Sequence, residues 1–398
     1  MIIKSTFKSL VTITILSGVT SLVPGMAEGS SKSTPEASVA DAQISFWDLP
    51  YLKEAYIDTT PTDRKDGLAV GSLTTSGANK TMILQLAREM ADKKYGEYDS
   101  LLIAHQGQLI FESYYLRGRI NLFHQQASAT KSYTSLVLGR AIELGYLSMA
   151  DLHKPLTSFL KDLEPTKWVK GTEQLTLHQA LTMRGGLSIS NDKWHELKGN
   201  PASLKGQGLV QTLLAHSAPI TSESQRFVYG NFNPDLVMQV IEAVVPGTAK
   251  DFIEKELLNK IGITAYRWQT HLDGLPVGGG PSYMTSRDMI KLGKLIINQG
   301  KWNGKQLISA KFLSLATSSI TKASEDWHPD NFNYGYFFYQ TDIKVGDKSY
   351  DANVAWGGGG QHLITIEELD LIVVITGHDW EDKIFTQVAK SILPAFVQ

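Results

Sequence analysis

A serine hydroxyl and a lysine amine three residues apart can share a proton, and Ser128-Ala-Thr-Lys131 offers that pair. The polar, small-residue run from His124 to Ser135 passes into a stretch with Tyr133, Val137, Ala141 and Leu144 at helical spacing, and Gly145 is a natural stop. Ser128 therefore falls near the first turn of a predicted helix, with Lys131 one turn on along the same face. The helix N-terminus favours a developing anion. A water-poor setting would favour the neutral amine, which can take the serine proton. Ser-x-x-Lys also occurs at Ser5/Lys8, Ser158/Lys161, Ser190/Lys193 and Ser319/Lys322, but only the pair at 128 and 131 opens a long, largely apolar helix. The plain alternative is a helix start with an exposed lysine.

Two further pieces could complete the chemistry. Tyr229-Gly-Asn231 supplies a phenol that can relay protons and an amide that can bond the lysine or a substrate carbonyl. Read alone, it is a turn tyrosine followed by a turn asparagine. Trp356-Gly357-Gly358-Gly359-Gly360-Gln361 places four glycines between two predicted strands. Each glycine costs backbone entropy, so the run makes sense where a ligand or another backbone lies against the edge; otherwise it is a flexible hairpin loop. A strand-edge N–H there, with the N–H of Ser128, could form an oxyanion hole.

Ser128-x-x-Lys131, Tyr229-x-Asn231 and Trp356-Gly-Gly358, in that order, resemble the motifs of the penicillin-recognising serine hydrolases. The likeness is greatest to the class C β-lactamase-like branch, with its esterases, D-amino peptidases and 6-aminohexanoate-dimer hydrolases. The segments Thr176–Leu187, Pro281–Asp288 and Gly359–Ile366 resemble family segments too, so the likeness runs from about Asp99 to the C-terminus. It implies Ser128 as the acylated nucleophile and Lys131 as its base. It implies Tyr229 as the proton shuttle to the leaving group and from the deacylating water. Asn231 would orient Lys131 and substrate, and the Ser128 and Gly359 N–H groups would hold the oxyanion. Whether Lys131 or Tyr229 takes the first proton stays open. Trp356 stands where penicillin-targeting members carry a cation. An indole cannot pair with a carboxylate, which moves the expectation toward a neutral ester or amide.

The 398 residues allow two or three domains, the composition is that of a globular protein, and a net charge of −2 gives no electrostatic basis for binding nucleic acid. The absence of cysteine excludes disulfides, thiolate metal sites and a cysteine nucleophile. Lys4 and Lys8, an apolar stretch from Leu10 to Val23, and Gly25-Met-Ala27 read as a cleavable secretory signal over 1–27, with an uncleaved anchor as the alternative. The mature protein is thus expected in the periplasm or secreted, without stable membrane insertion.

The periodicities predict a linker and surface arm over 28–79, and a mixed lobe over 80–150 and 275–398. An inserted helical lobe is predicted over 151–274, with the site in the cleft where the lobes meet. The expected elements include helices at 81–94, 286–298 and 382–395, a hairpin at 101–115, and strands at 334–344, 350–355, 361–366 and 369–377. The fold class is α+β, an α/β sandwich with an antiparallel sheet, and the resemblance makes it β-lactamase/transpeptidase-like. Trp194 and His195 are expected as a packing tryptophan beside a surface histidine, or as part of the cleft wall. His105, His124 and His378 show no metal-ligand spacing, and no His-Glu-x-x-His or Gly-x-Ser-x-Gly is present. No cofactor or metal is expected. The expected partner is a small-molecule or peptide-like substrate, such as a D-amino-acid amide. The rival readings are a penicillin-binding carboxypeptidase or β-lactamase, and a catalytically silent cell-wall or peptide-binding homologue.

Overall fold

The computed structural model describes residues 33–397, and the expected signal segment lies outside them. Among the described residues, 34–397 form one compact unit. No helix among the described residues is long and apolar enough to cross a membrane.

The first strand, β1 (Tyr56–Asp58), lies in the segment read as a surface arm; it pairs with the outer strand of the predicted hairpin and so belongs to the sheet. Helix α1 (Lys80–Ala91) buries Ile83, Leu86, Ala87 and Met90 on one face, and Asn79 caps it by accepting from the Met82 N–H. The hairpin follows as β2 (Tyr98–His105) and β3 (Gln108–Tyr114), then the two-residue β4 (His124–Gln125). A 3-10 turn at Ala127–Ala129 leads into α2 (Thr130–Glu143). Short helices occupy the next stretch: α3 (Leu177–Leu181), α4 (Asn191–Lys198), α5 (Gly208–His216), α6 (Phe232–Val244) and α7 (Ala249–Phe252). Between α3 and α7 no residue joins the main sheet. Then come β5 (Arg267–Trp268), β6 (Ser282–Met284), α8 (Ser286–Ile297) and a small hairpin, β7 (Lys301–Trp302) with β8 (Lys305–Gln306). After α9 (Ala310–Ala316) the chain runs through β9 (Thr321–Lys322), β10 (Asn333–Tyr334), β11 (Tyr339–Val345), β12 (Lys348–Gly357), β13 (Gln361–Ile366) and β14 (Leu371–Gly377).

The main sheet has nine strands in the order β1-β3-β2-β14-β13-β12-β11-β10-β9. Every pairing in it is antiparallel, as in Val373 opposite Ile103 and Val354 opposite Ile364. Successive strand residues point to opposite faces. Every residue of β13 and β14 is buried, so both faces of the sheet centre are covered. Helix α8 packs on β2, β13 and β14, and α1 packs with the C-terminal helical segment. The architecture is α+β with an antiparallel sheet.

Three expectations are corrected. Helix α2 is not one-faced: Thr130 to Ile142 are all buried, while Leu144, expected on the apolar face, is 39% exposed at the end. The strand expected over 334–344 is broken, because Phe337 takes a left-handed φ of +61°. The Tyr336 and Phe337 N–H groups there donate to the carbonyls of Ala316 and Leu181 rather than to a strand. The helix expected over 382–395 begins at Ile384 and widens at Val388–Ile392 before its last turn at Leu393–Phe396. Pro394 has no N–H to give the carbonyl one α-turn back, which is where the regular ladder fails.

Candidate active site

Ser128 sits on the tight turn between β4 and α2, and the residue before it is strained. Ala127 has φ +45°, a left-handed conformation costing an alanine about 1–2 kcal/mol. Gly280 makes room for that turn: a Cβ on it would lie 2.2 Å from the Ala127 carbonyl oxygen, and its own φ is +110°. Below, the Thr130 hydroxyl accepts from the Ser282 N–H at 3.0 Å and bonds the Ser282 hydroxyl at 2.9 Å, tying α2 to β6.

Lys131 is 1% exposed. Its Nζ donates to Ser128 Oγ at 3.0 Å and to the Gly279 carbonyl at 3.1 Å. The Tyr229 ring stands 4.8 Å away on another side. The amine, the hydroxyl and the phenol expected to cooperate are therefore gathered from two distant segments. Asn231 starts α6 without capping it, and its side-chain oxygen would lie 2.7 Å from a Cβ on Gly279. It thus flanks the segment whose carbonyl receives the lysine.

The third motif closes the other side. Gly357, at the end of β12, packs on the Ser128 turn: a Cβ there would meet the Gln126 carbonyl oxygen at 2.3 Å and the Ala129 nitrogen at 3.1 Å. Gly358 lies under the edge of the exposed Trp380, and the Gly359 carbonyl accepts from the Asp379 N–H at 3.1 Å. The Trp356 Nε1–H donates to Asp382 Oδ2 at 2.6 Å, and the same carboxylate faces His362 Nε2 at 2.9 Å.

Several neighbours carried no local signal. The Tyr229 N–H donates to Glu325 at 2.9 Å. Around its ring stand Trp327 at 5.4 Å, His328 at 6.0 Å and Tyr339 at 6.2 Å, and Trp327 meets Trp356 at 5.7 Å. Trp327 is 53% exposed, so this aromatic wall reaches solvent. The Tyr339 hydroxyl bonds His328 Nε2 at 2.9 Å, and burial pushes the His328 imidazole down to about 4, leaving it neutral at pH 7. Behind Lys131, Asp235 is pushed up to about 6. Burial is the main cause, aided by Asp273 and opposed by His271, the Gly278 N–H and Lys131.

Trp194 packs edge-on to Phe232 at 5.1 Å, as a packing residue does. The fold also joins His124 and His378, which linear spacing had kept apart: both face Asp99. His105 lies elsewhere, against Phe396. Two cavities, of 730 and 480 Å³, are lined by neither Ser128, Lys131 nor Tyr229. Convergence of side chains, not cavity size, marks the site.

The Beta-lactamase family model matches residues 91–389. An uncharacterized protein of Alkalihalophilus pseudofirmus is 25% identical over 261 residues, 61% of this chain and 71% of its own length. Among solved structures, a Bacillus anthracis protein assigned as a 6-aminohexanoate-dimer hydrolase superposes with a TM-score of 0.63 at 16% identity, covering 92% of this chain and 97% of its own. A class C β-lactamase gives 0.60 at 14% identity over 80% and 96%. A D-stereospecific amidohydrolase from a Streptomyces species gives 0.55 at 16% over 76% and 97%.

Proposed function

The chain belongs to the Beta-lactamase family, whose members are in general hydrolases with a serine nucleophile, and on that premise we propose that it is an exported hydrolase of neutral esters or amides acting through an acyl-enzyme on Ser128. The observation that carries this reading is the 3.0 Å contact between Ser128 Oγ and the buried Lys131 amine beside the Tyr229 ring. Export rests on the basic, apolar and small-residue pattern of residues 1–27.

In the first step Ser128 Oγ attacks the substrate carbonyl carbon, and its proton passes to the Lys131–Tyr229 pair. The tetrahedral oxyanion is held by the N–H groups of Ser128 and Gly359, helped by the positive end of α2. Collapse breaks the bond to the alcohol or amine, which leaves with the proton delivered by Tyr229. Water then attacks the ester on Ser128, giving up a proton to the same pair. The second collapse releases the acid and restores the serine hydroxyl. No cofactor enters these steps.

Substrate charge follows from Trp356. Its indole N–H, the donor nearest the place where relatives keep a cation, is already given to Asp382. That carboxylate repels an anionic substrate terminus, which disfavours penicillins and peptides ending in a free carboxylate. The wall of Tyr229, Trp327 and Trp356 favours an apolar acyl or leaving group, small peptide-like or D-amino-acid amides included.

The test is mass spectrometry after treatment with a fluorophosphonate probe. The adduct is expected on Ser128 and absent from Ser128→Ala. A folded wild-type protein left unlabelled overturns the reading and returns the silent binding homologue. A burst on a p-nitrophenyl ester without trapping of a fluorescent penicillin is expected, and the reverse pattern would establish the penicillin-directed alternative.

A further inference from the structure

Asp99 lies in β2, His124 opens β4 four residues before the nucleophile, and His378 follows β14. Asp99 Oδ2 is 3.0 Å from His124 Nε2 and 2.7 Å from His378 Nδ1, and the three donor atoms lie within 4.8 Å of one another. Asp99 and His124 are buried, while the His378 side chain is 18% exposed. The surrounding bonds fix the orientation of the set. Asp99 Oδ1 accepts the Arg117 N–H at 3.0 Å, and His124 Nδ1 is 3.1 Å from the carbonyl of Gln125.

A carbonyl can only accept, so His124 Nδ1 carries a proton. A neutral ring then aims the lone pair of Nε2 at a carboxylate oxygen, and two acceptors at 3.0 Å need a cation between or beside them. That cation is either a second proton on the ring or a metal ion. The surroundings favour the metal. Ligating histidines usually give their other N–H to a carbonyl, and ligating carboxylates are themselves hydrogen-bonded, as both are in this cluster. Phe46 and Trp47 cover the cluster, with ring centroids 4.7 and 4.5 Å from that of His378. The partly exposed His378 also lines the 730 Å³ cavity, which gives an ion a way in.

We propose that Asp99, His124 and His378 bind one divalent transition-metal ion of the zinc class, with water completing the shell. Metal–ligand bonds of about 2.0–2.1 Å at tetrahedral angles set donor atoms about 3.3 Å apart, so the two histidine nitrogens must each move about half an ångström from Asp99 Oδ2, now 3.0 and 2.7 Å away, and draw together from a separation of up to 4.8 Å. The ion would clip the segment leading to Ser128 onto the ends of β2 and β14. The residue after His378 holds the Gly359 turn, so both sides of the nucleophile are anchored through one point. Asp99, His124 and His378 are thus positioning residues, and the ion does not enter the hydrolytic steps.

The test uses the full chain without a histidine tag, stripped with a chelator and titrated with Zn2+ against a fluorescent indicator, with Co2+ as a spectroscopic probe. One Zn2+ per chain is expected. A visible Co2+ spectrum of low coordination number and a Tm raised by a few degrees on loading are expected too. Ser128→Ala should bind equally, and His378→Ala should lose at least a hundredfold in affinity. If His378→Ala fails to fold, His124→Gln and the wild-type Co2+ spectrum decide instead. Fewer than 0.1 equivalents of bound metal, or weak binding unchanged by these substitutions, overturns the proposal and makes the cation a proton.

Discussion

The contact between β12 and the Ser128 turn predicts the outcome of adding a single methyl group. In Gly357→Ala the new Cβ would lie 2.3 Å from the Gln126 carbonyl oxygen and 3.1 Å from the Ala129 nitrogen. A carbon normally stands about 3.3–3.6 Å from such an oxygen, so strand and turn must separate by about 1 Å. Both obstructing atoms are backbone, so no rotamer change can absorb the shift. A displacement of about 1 Å at a reacting group costs about a hundredfold in rate, and overpacking costs a further 1–3 kcal/mol or so of stability. Gly358→Ala is the matched control, since the nearest atoms to its Cβ belong to the ring of the exposed Trp380, at 2.8 Å, which can swing away. Steady-state hydrolysis of a p-nitrophenyl ester and the rate of fluorophosphonate labelling should therefore fall about a hundredfold in Gly357→Ala and by less than about threefold in Gly358→Ala. A Gly357→Ala enzyme with wild-type rate and melting temperature would refute the packing of β12 on the Ser128 turn.

Lys131→Met should abolish turnover, by about a thousandfold or more, and leave the Gly279 carbonyl without its donor, costing about 1–3 kcal/mol; kcat and urea unfolding read the two effects separately. Asp382→Asn removes a unit charge, worth about 1.7 kcal/mol at about 10 Å and an effective dielectric of about 20. It should raise kcat/KM about tenfold for a carboxylate-bearing ester while a neutral ester changes little. The Asp235 carboxyl, pushed from its ordinary 3.8 to about 6, binds its proton more tightly folded than unfolded. Its burden on stability is therefore absent below about pH 4 and complete above about pH 6, of the order of 3 kcal/mol at most. Denaturant unfolding should show that decline across pH 4–6, and Asp235→Asn should flatten it. Arg287 Nη1 donates to the buried Glu112 at 2.8 Å and Nε to Asp66 at 2.6 Å. Arg287→Met leaves the buried Glu112 with only the Tyr114 hydroxyl and no cation, and should cost about 3–5 kcal/mol in thermal or urea unfolding.

What could be read from the chain divides along the range of the interactions. Ser128 and Lys131 were legible because helix geometry alone brings positions three apart together, and the strands of the sheet centre because continuous apolar runs can be buried on both faces. Tyr229 and the glycine run were legible only through their order along the chain, since no local rule places them beside Ser128. The Gly279 carbonyl that holds the lysine, Glu325 beneath Tyr229, and Trp327 at the mouth had no such signal: each owes its place to where a remote segment docks. Long-range bonds also broke the expected strand at Phe337, whose N–H reaches Leu181 and whose carbonyl accepts the Ser132 hydroxyl. Ser132 is one residue beyond Lys131, so the same detour that spoils a strand pattern pins the helix that carries Lys131 and follows Ser128. Local preference is overridden where the backbone packs around Ser128: at Ala127, at Phe337 and in the glycine run that ends β12. The strain at Ala127 holds the Ser128 hydroxyl at the mouth of a helix that is otherwise buried on every side.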